Sequence, residues 1–160
     1  MNAKANELVS IISERIDSLT SIYEELAQAY AEDIPALGQT SRSALIIAGL
    51  LENYYTCAET AWLRISQYFE NNLDPEKWHT SLLEKMVLAI KDIRPAAVSK
   101  ENYNHLLELM RFRDIKRYYF QIDYDWDKLK YLTALLHKAH PMVISDTEHF
   151  KSFLLQLLQE

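Results

Sequence analysis

Arg111, Arg113, Lys116 and Arg117 crowd into the stretch MRFRDIKRYYF (110–120), with Asp114 as the local counter-charge. A guanidinium fork matches phosphate geometry with two bonds at once. On a helix, Arg113 and Arg117 are one turn apart on one face, so together they could clamp a phosphodiester while Lys116 adds a point charge. Asn53 is a further candidate for RNA contact, and Tyr118 and Tyr119 place hydroxyls beside the cations. The competing reading is a solvated basic face that balances the acidic excess of the chain.

Other residues could do chemistry, each with a plainer reading beside it. His137 and His140 are three apart, with His149 a few residues on, but no carboxylate or cysteine completes a metal set. A helix C-terminus would account for them through its dipole. Glu52 and Glu59 are two helical turns apart, which suits ion pairs with arginines better than paired acid–base work. Tyr54, Tyr55, Trp62 and Tyr68 follow helical spacing and read as core or dimer contacts. Trp78 reads as core and His79 as a partner for a backbone group. Cys57, the single cysteine, excludes an internal disulfide and reads as a buried structural thiol in a reducing compartment.

The elements that would position these residues are helical. Two glycines and four prolines in 160 residues leave too few turn signals for a sheet or barrel. Leu8, Ile11, Ile12, Ile16, Leu19, Ile22, Tyr23, Leu26 and Tyr30 keep the spacing of one helical face over residues 4–31. DIPALGQTS (33–41) reads as a loop. Thr40 or Ser41 can cap a second helix running through 41–72. Asp74-Pro75 starts a third, which stops before Pro95. Ser99 caps a fourth, ending near Phe120, with Phe112, Ile115 and Tyr119 as its core contacts. Asp125 caps a fifth, Pro141 kinks or ends it, and Asp146 or Thr147 caps a last one. The expected fold is all-α: one domain over 1–160, an antiparallel bundle of four principal helices plus an additional C-terminal helix.

Hydrophobic residues make up 49% and charged residues 25%, ordinary for a globular domain. A net charge of −6 argues against general coating of nucleic acid but leaves room for a local basic patch. The longest apolar run, ALIIAGLL (44–51), falls well short of the roughly 20 residues that span a bilayer. No targeting segment is apparent, and a cytoplasmic location without membrane attachment is expected.

AGLLENYYTCAETAWLRISQYFEN, WHTSLLEKM, IRPA and LLELMRFRDIKRYYFQIDYDWDKL, in that order and spacing, resemble the HepT-like branch of the HEPN superfamily over roughly residues 45–130. The resemblance implies a helical bundle that forms a homodimer. It implies the toxin half of a toxin–antitoxin pair whose antitoxin is a minimal nucleotidyltransferase. Active relatives are metal-independent ribonucleases with an Arg-x4-His-x-Tyr motif, silenced by transfer of AMP to the motif tyrosine. Neither a cofactor nor a metal is implied.

Set on that motif, Arg113 takes the arginine position, but Tyr118 stands for the histidine and Phe120 for the tyrosine. Asp114 and Glu52 occupy two further positions where relatives carry histidine. Metal-free cleavage through the 2′-hydroxyl needs a group that exchanges a proton near neutral pH. Histidine, with a pKa of about 6.5, does so, whereas tyrosine near 10 is a poor base. Phe120 has no hydroxyl to accept AMP, which leaves Tyr118, Tyr119 and Tyr124 as acceptors on proximity alone. Five residues apart on a straight helix, Arg113 and Tyr118 diverge by about 140°, so a compact pocket needs either the helix to end there or a second subunit as its other wall. The sequence thus frames three functions: a partner of a nucleotidyltransferase with a degenerate site (Arg113, Tyr118), an active endoribonuclease, or a silent helical module that binds RNA or nucleotide.

Overall fold

The computed structural model describes residues 2–70, 78–119 and 122–160, with side chains apart from those of 2, 78–80 and 117–119. Five long helices form the bundle: α1 (Asn2–Gln28), α2 (Ser41–Phe69), α3 (Trp78–Val87), α4 (Lys100–Tyr119) and α5 (Trp126–Leu157). Among the described residues there is no strand, only an isolated bridge between Ile90 and Arg94. The bundle is all-α, as its sparse glycines require. None of the described helices is long and apolar enough to cross a membrane.

α2 is the axle of the fold and packs against each of the other four helices. Its apolar residues recur all round, and Ile47, Leu51, Tyr54, Tyr55, Ala58, Trp62 and Ile65 are buried. Of the aromatic residues expected as core or dimer contacts, Tyr54, Tyr55 and Trp62 are core, and Tyr68 packs partly against it. The helix starts on a capping box in which Thr40 and Ser43 exchange side-chain and backbone hydrogen bonds.

Three boundaries differ from the sequence reading. The expected loop after residue 31 is mostly helix: a π turn at Ala29–Asp33 leads into a helical turn at Ile34–Leu37. Pro35 lies in the first turn of that segment, where its missing N–H costs nothing. Only at Gly38, with φ +75°, does the chain break.

α3 ends at Val87, well before Pro95; its expected start at Asp74-Pro75 lies outside the described residues. The buried Arg94 guanidinium donates to the carbonyls of Lys85 and Leu88 and pairs with Glu70, while the Ala97 and Val98 N–H groups donate to Met86. These partners satisfy the carbonyls that a helix end leaves open.

The third difference is α5, a single helix running through Pro141. An internal proline costs about 3 kcal/mol. Beyond it Val143, Phe150 and Leu154 are buried, at roughly 1.5–3 kcal/mol each, and that burial outweighs the lost bond. Asp146 and Thr147 therefore cap nothing on α5. Asp146 instead accepts the Ser99 N–H at 2.8 Å, and the Thr147 hydroxyl donates to the Val143 carbonyl. Ser99 does precede α4, but its hydroxyl is buried without a partner.

Candidate functional site

The seam between α2 and α4 brings together charged residues from both helices. Glu52 and Glu59 are two turns apart on α2, and the antiparallel run of α4 sets Lys116 and Arg113 opposite them. Glu59 accepts two parallel bonds from Arg113, at 2.9 Å from Nη1 and 3.0 Å from Nη2. Asp114 accepts from Arg113 Nε at 2.9 Å. The guanidinium carbon lies 4.9 Å from the centre of the Tyr55 ring, and the Arg113 side chain has no exposure at all. One turn outward, Lys116 pairs with Glu52 at 2.7 Å.

Electrostatics follow from this packing. Burial alone would pull the Arg113 pKa down, but the hydrogen bonds and charges of Glu59 and Asp114 outweigh it and leave the group above its ordinary value. Burial pushes the Tyr55 hydroxyl well up, Glu59 adds to the rise and Arg113 opposes it. That hydroxyl has no hydrogen-bond partner. Tyr124 is raised by burial as well, with Lys116 opposing and Glu52 adding to the effect. Among the described side chains of the seam two cations face three carboxylates, so the charges of Arg113 and Lys116 are balanced within the chain.

The expected phosphate-binding residues therefore come together only in part. Arg113 and Lys116 share the seam but are held by carboxylates, and Asn53 sits exposed on α2. The side chains of Arg117, Tyr118, Tyr119 and Phe120 lie outside the described residues, as do those of Trp78 and His79. The α4 backbone reaches Tyr119, so positions 113 and 118 belong to one helix and fall on different faces of it. Of the expected core contacts on α4, Phe112 is buried against Tyr124, whereas Ile115 is 45% exposed.

The family assignment comes from the same residues. A protein-family model described as HepT-like protein matches residues 46–154 and takes in most of α2, all of α3 and α4, and most of α5. The chain belongs to the HepT-like family. It is thus a HEPN-superfamily protein, and the helical bundle is the one that membership requires. Comparison with curated proteins and with solved structures gives no match. In this HepT-like chain Arg113, expected to take the arginine position of the motif, is a buried member of a four-residue cluster with Tyr55, Glu59 and Asp114.

Elsewhere the histidines take roles that their spacing does not show. α5 continues to Leu157, so His137 and His140 are mid-helix and meet no helix end. His140 Nδ1 is 2.7 Å from the Tyr54 hydroxyl, and the Tyr23 ring stacks on His140 with centroids 4.1 Å apart. His137 Nδ1 bonds the Tyr23 hydroxyl. Among the described residues no group of histidine, cysteine and carboxylate side chains is placed to hold a metal ion. Cys57 is half-buried, and its thiol pKa is raised by that burial, with Arg15 opposing.

Proposed function

We propose that this HepT-like protein is a toxin–antitoxin component that pairs with a minimal nucleotidyltransferase and whose ribonuclease site is degenerate. The observation that carries the reading is the state of Arg113. Its guanidinium is fully buried, bonded to Glu59 through both terminal nitrogens and to Asp114 through Nε. A phosphate would have to displace a carboxylate from a buried charge, at a desolvation cost of several kcal/mol. Tyr118 in the histidine position adds a second deficit, because no imidazole is there to move the proton of a 2′-hydroxyl.

A homodimer fits this reading, since positions 113 and 118 face apart on α4 and one copy leaves the cleft without its other wall. Leu45 on α2, at 43% exposure, and Ile115 on α4 are the apolar side chains left for such an interface. Tyr124 is the candidate AMP acceptor whose side chain is described, beside Lys116 and Glu52, with Tyr118 and Tyr119 as the others. A cytoplasmic location suits an RNA-directed system and the single unpaired cysteine.

The test has two arms. Co-expression with a small nucleotidyltransferase encoded beside this protein is expected to give a co-purifying complex, with mass spectrometry reading any added AMP. Incubation of a transfer-RNA pool with the protein alone is expected to leave the RNA intact. Robust cleavage that disappears in an Arg113→Met/Glu59→Leu variant, chosen so that neither buried charge is left alone, would overturn the degenerate-site reading.

A further inference from the structure

On the flank of the bundle away from the charged seam, α1 and α5 run antiparallel and enclose a groove of about 380 Å³. Its α1 wall is Tyr23, Leu26, Ala27 and Tyr30, at positions i, i+3, i+4 and i+7 of one face. Its α5 wall is Lys130, Thr133, Ala134 and His137, with the same spacing. Both walls are bulky at the ends and small in the middle, where Ala27 and Ala134 leave the space open.

The ends are tied across the groove. The Tyr30 hydroxyl lies 2.9 Å from Thr133 Oγ1, and the Tyr23 hydroxyl bonds His137 Nδ1. Tyr23 is braced from behind by its stack on His140, which is bonded in turn to the buried Tyr54. The two aromatic ends of the α1 wall are therefore fixed before any ligand arrives, and a preformed site loses less on binding than one that must order its side chains. When Tyr23 donates to Nδ1, the proton of the His137 ring sits on Nε2 and is left as a donor.

Charge narrows the ligand. In a chain of net charge −6, no carboxylate lines this groove, and Lys130 is its one permanently charged residue. Lys130 makes no ion pair among the described residues and is exposed to solvent. A volume near the lower end of the roughly 300–1,000 Å³ usual for ligand pockets suits one or two fused rings. We infer that the α1–α5 groove is a binding site for a small planar aromatic acid, with its ring between Tyr23 and Tyr30 and its anion on Lys130. The groove shares no lining residue with the Arg113 cluster, so the inference stands or falls separately from the state of the motif.

The probes are 1-naphthoate and its uncharged counterpart 1-naphthol, titrated into the full chain with binding read by calorimetry and by amide shifts in α1 and α5. Naphthoate is expected to bind saturably. Lys130→Ala is expected to weaken naphthoate about fivefold or more while leaving naphthol unchanged, the signature of a lost charge contact. Ala134→Leu, and independently Ala27→Leu, fill the centre of the groove from opposite walls and are expected to weaken both probes at least tenfold. Both alanines are exposed and leucine is a good helix former, so these variants should keep the helical circular dichroism of the parent. Absence of saturable binding, or binding that survives both leucine variants, overturns the proposal. So does a dimer in light scattering that Ala134→Leu dissolves, since the groove would then be a contact between copies of this chain.

Discussion

Glu59 on α2 grips Arg113 on α4 with two parallel hydrogen bonds, at 2.9 and 3.0 Å, in a setting where neither side chain is more than 4% exposed. Arg113 thereby becomes part of the bundle's interior, joining the axle helix α2 to α4. Its positive charge is spent inside the chain. The same pair explains the acidic residue two turns along from Glu52, since a buried guanidinium requires a carboxylate within reach.

Breaking that pair one-sidedly should destabilise the fold. Glu59→Ala takes from the buried Arg113 the carboxylate that holds both of its terminal nitrogens, and losing one partner of a buried pair costs about 3–5 kcal/mol. Arg113→Met together with Glu59→Leu removes both charges and should be close to neutral. Urea denaturation of the three proteins checks this. Equal losses in Glu59→Ala and in the double variant would show that the ion pair is not what the site depends on.

Much of this was legible beforehand. The helical bundle, Thr40 as one of two candidate caps of α2, the cap at Asp125 and the pairing of Glu59 with an arginine follow from local spacing and side-chain chemistry, whereas Glu52 pairs with a lysine. The residues that went unread depend on distant partners. Pro141 reads as a helix end until the burial of Phe150 and Leu154 is known. His137 and His140 read as a C-terminal pair until Tyr23 and Tyr54 meet them from other helices. Arg113 reads as an open phosphate ligand because no local pattern says how deeply a helix face will be covered. A signal was present in α1, where Tyr23 and Tyr30 mark the ends of one face, but its counterpart lies a hundred residues on.

Arg94 should prove as important to stability as any apolar core residue. Its side chain donates to the carbonyls of Lys85, Leu88 and Pro95 and pairs with Glu70. Arg94→Ala should cost about 3–5 kcal/mol, by leaving Glu70 with only the weaker contacts of Lys85 and Ser66 and by exposing the end of α3. Arg94→Lys should recover little of it, because an ammonium cannot reproduce the fork. Chemical denaturation decides, and full rescue by lysine would reduce the role of Arg94 to charge.

The His140 contact predicts a loss of stability in mild acid. Burial, and then the nearby His137, lower the His140 pKa from its usual value of about 6.5. At this site the unfolded chain binds a proton more readily than the folded one. The contribution of the neutral ring is therefore complete above about pH 6.5 and declines as pH falls from there towards the folded value. The urea midpoint should be lower near pH 5.5 than near pH 7.5, and His140→Gln, which can still bond the Tyr54 hydroxyl, should flatten that dependence. Identical pH slopes in the two proteins would remove His140 from the explanation.

Restoring the motif should require freeing the arginine as well as returning the histidine. Tyr118→His with Phe120→Tyr supplies a group that can exchange a proton and a hydroxyl that can accept AMP. Arg113 remains bound in that double variant, and cleavage of a transfer-RNA pool should stay near the wild-type level. Asp114 is the more exposed of the two carboxylates on Arg113, at 31% against 4%, and it occupies the Nε edge. Adding Asp114→His opens that edge, removes a negative charge from the path of the phosphate and leaves Glu59 to hold the fork. A working general acid or base contributes about 10²–10⁴ in rate, so the triple variant should exceed wild type by at least the lower figure. The double variant matching the triple would clear Asp114 of any blocking role. If all three proteins instead stay inert, Glu59 alone keeps Arg113 from phosphate, and a fourth change, Glu59→Gln, should then bring cleavage up.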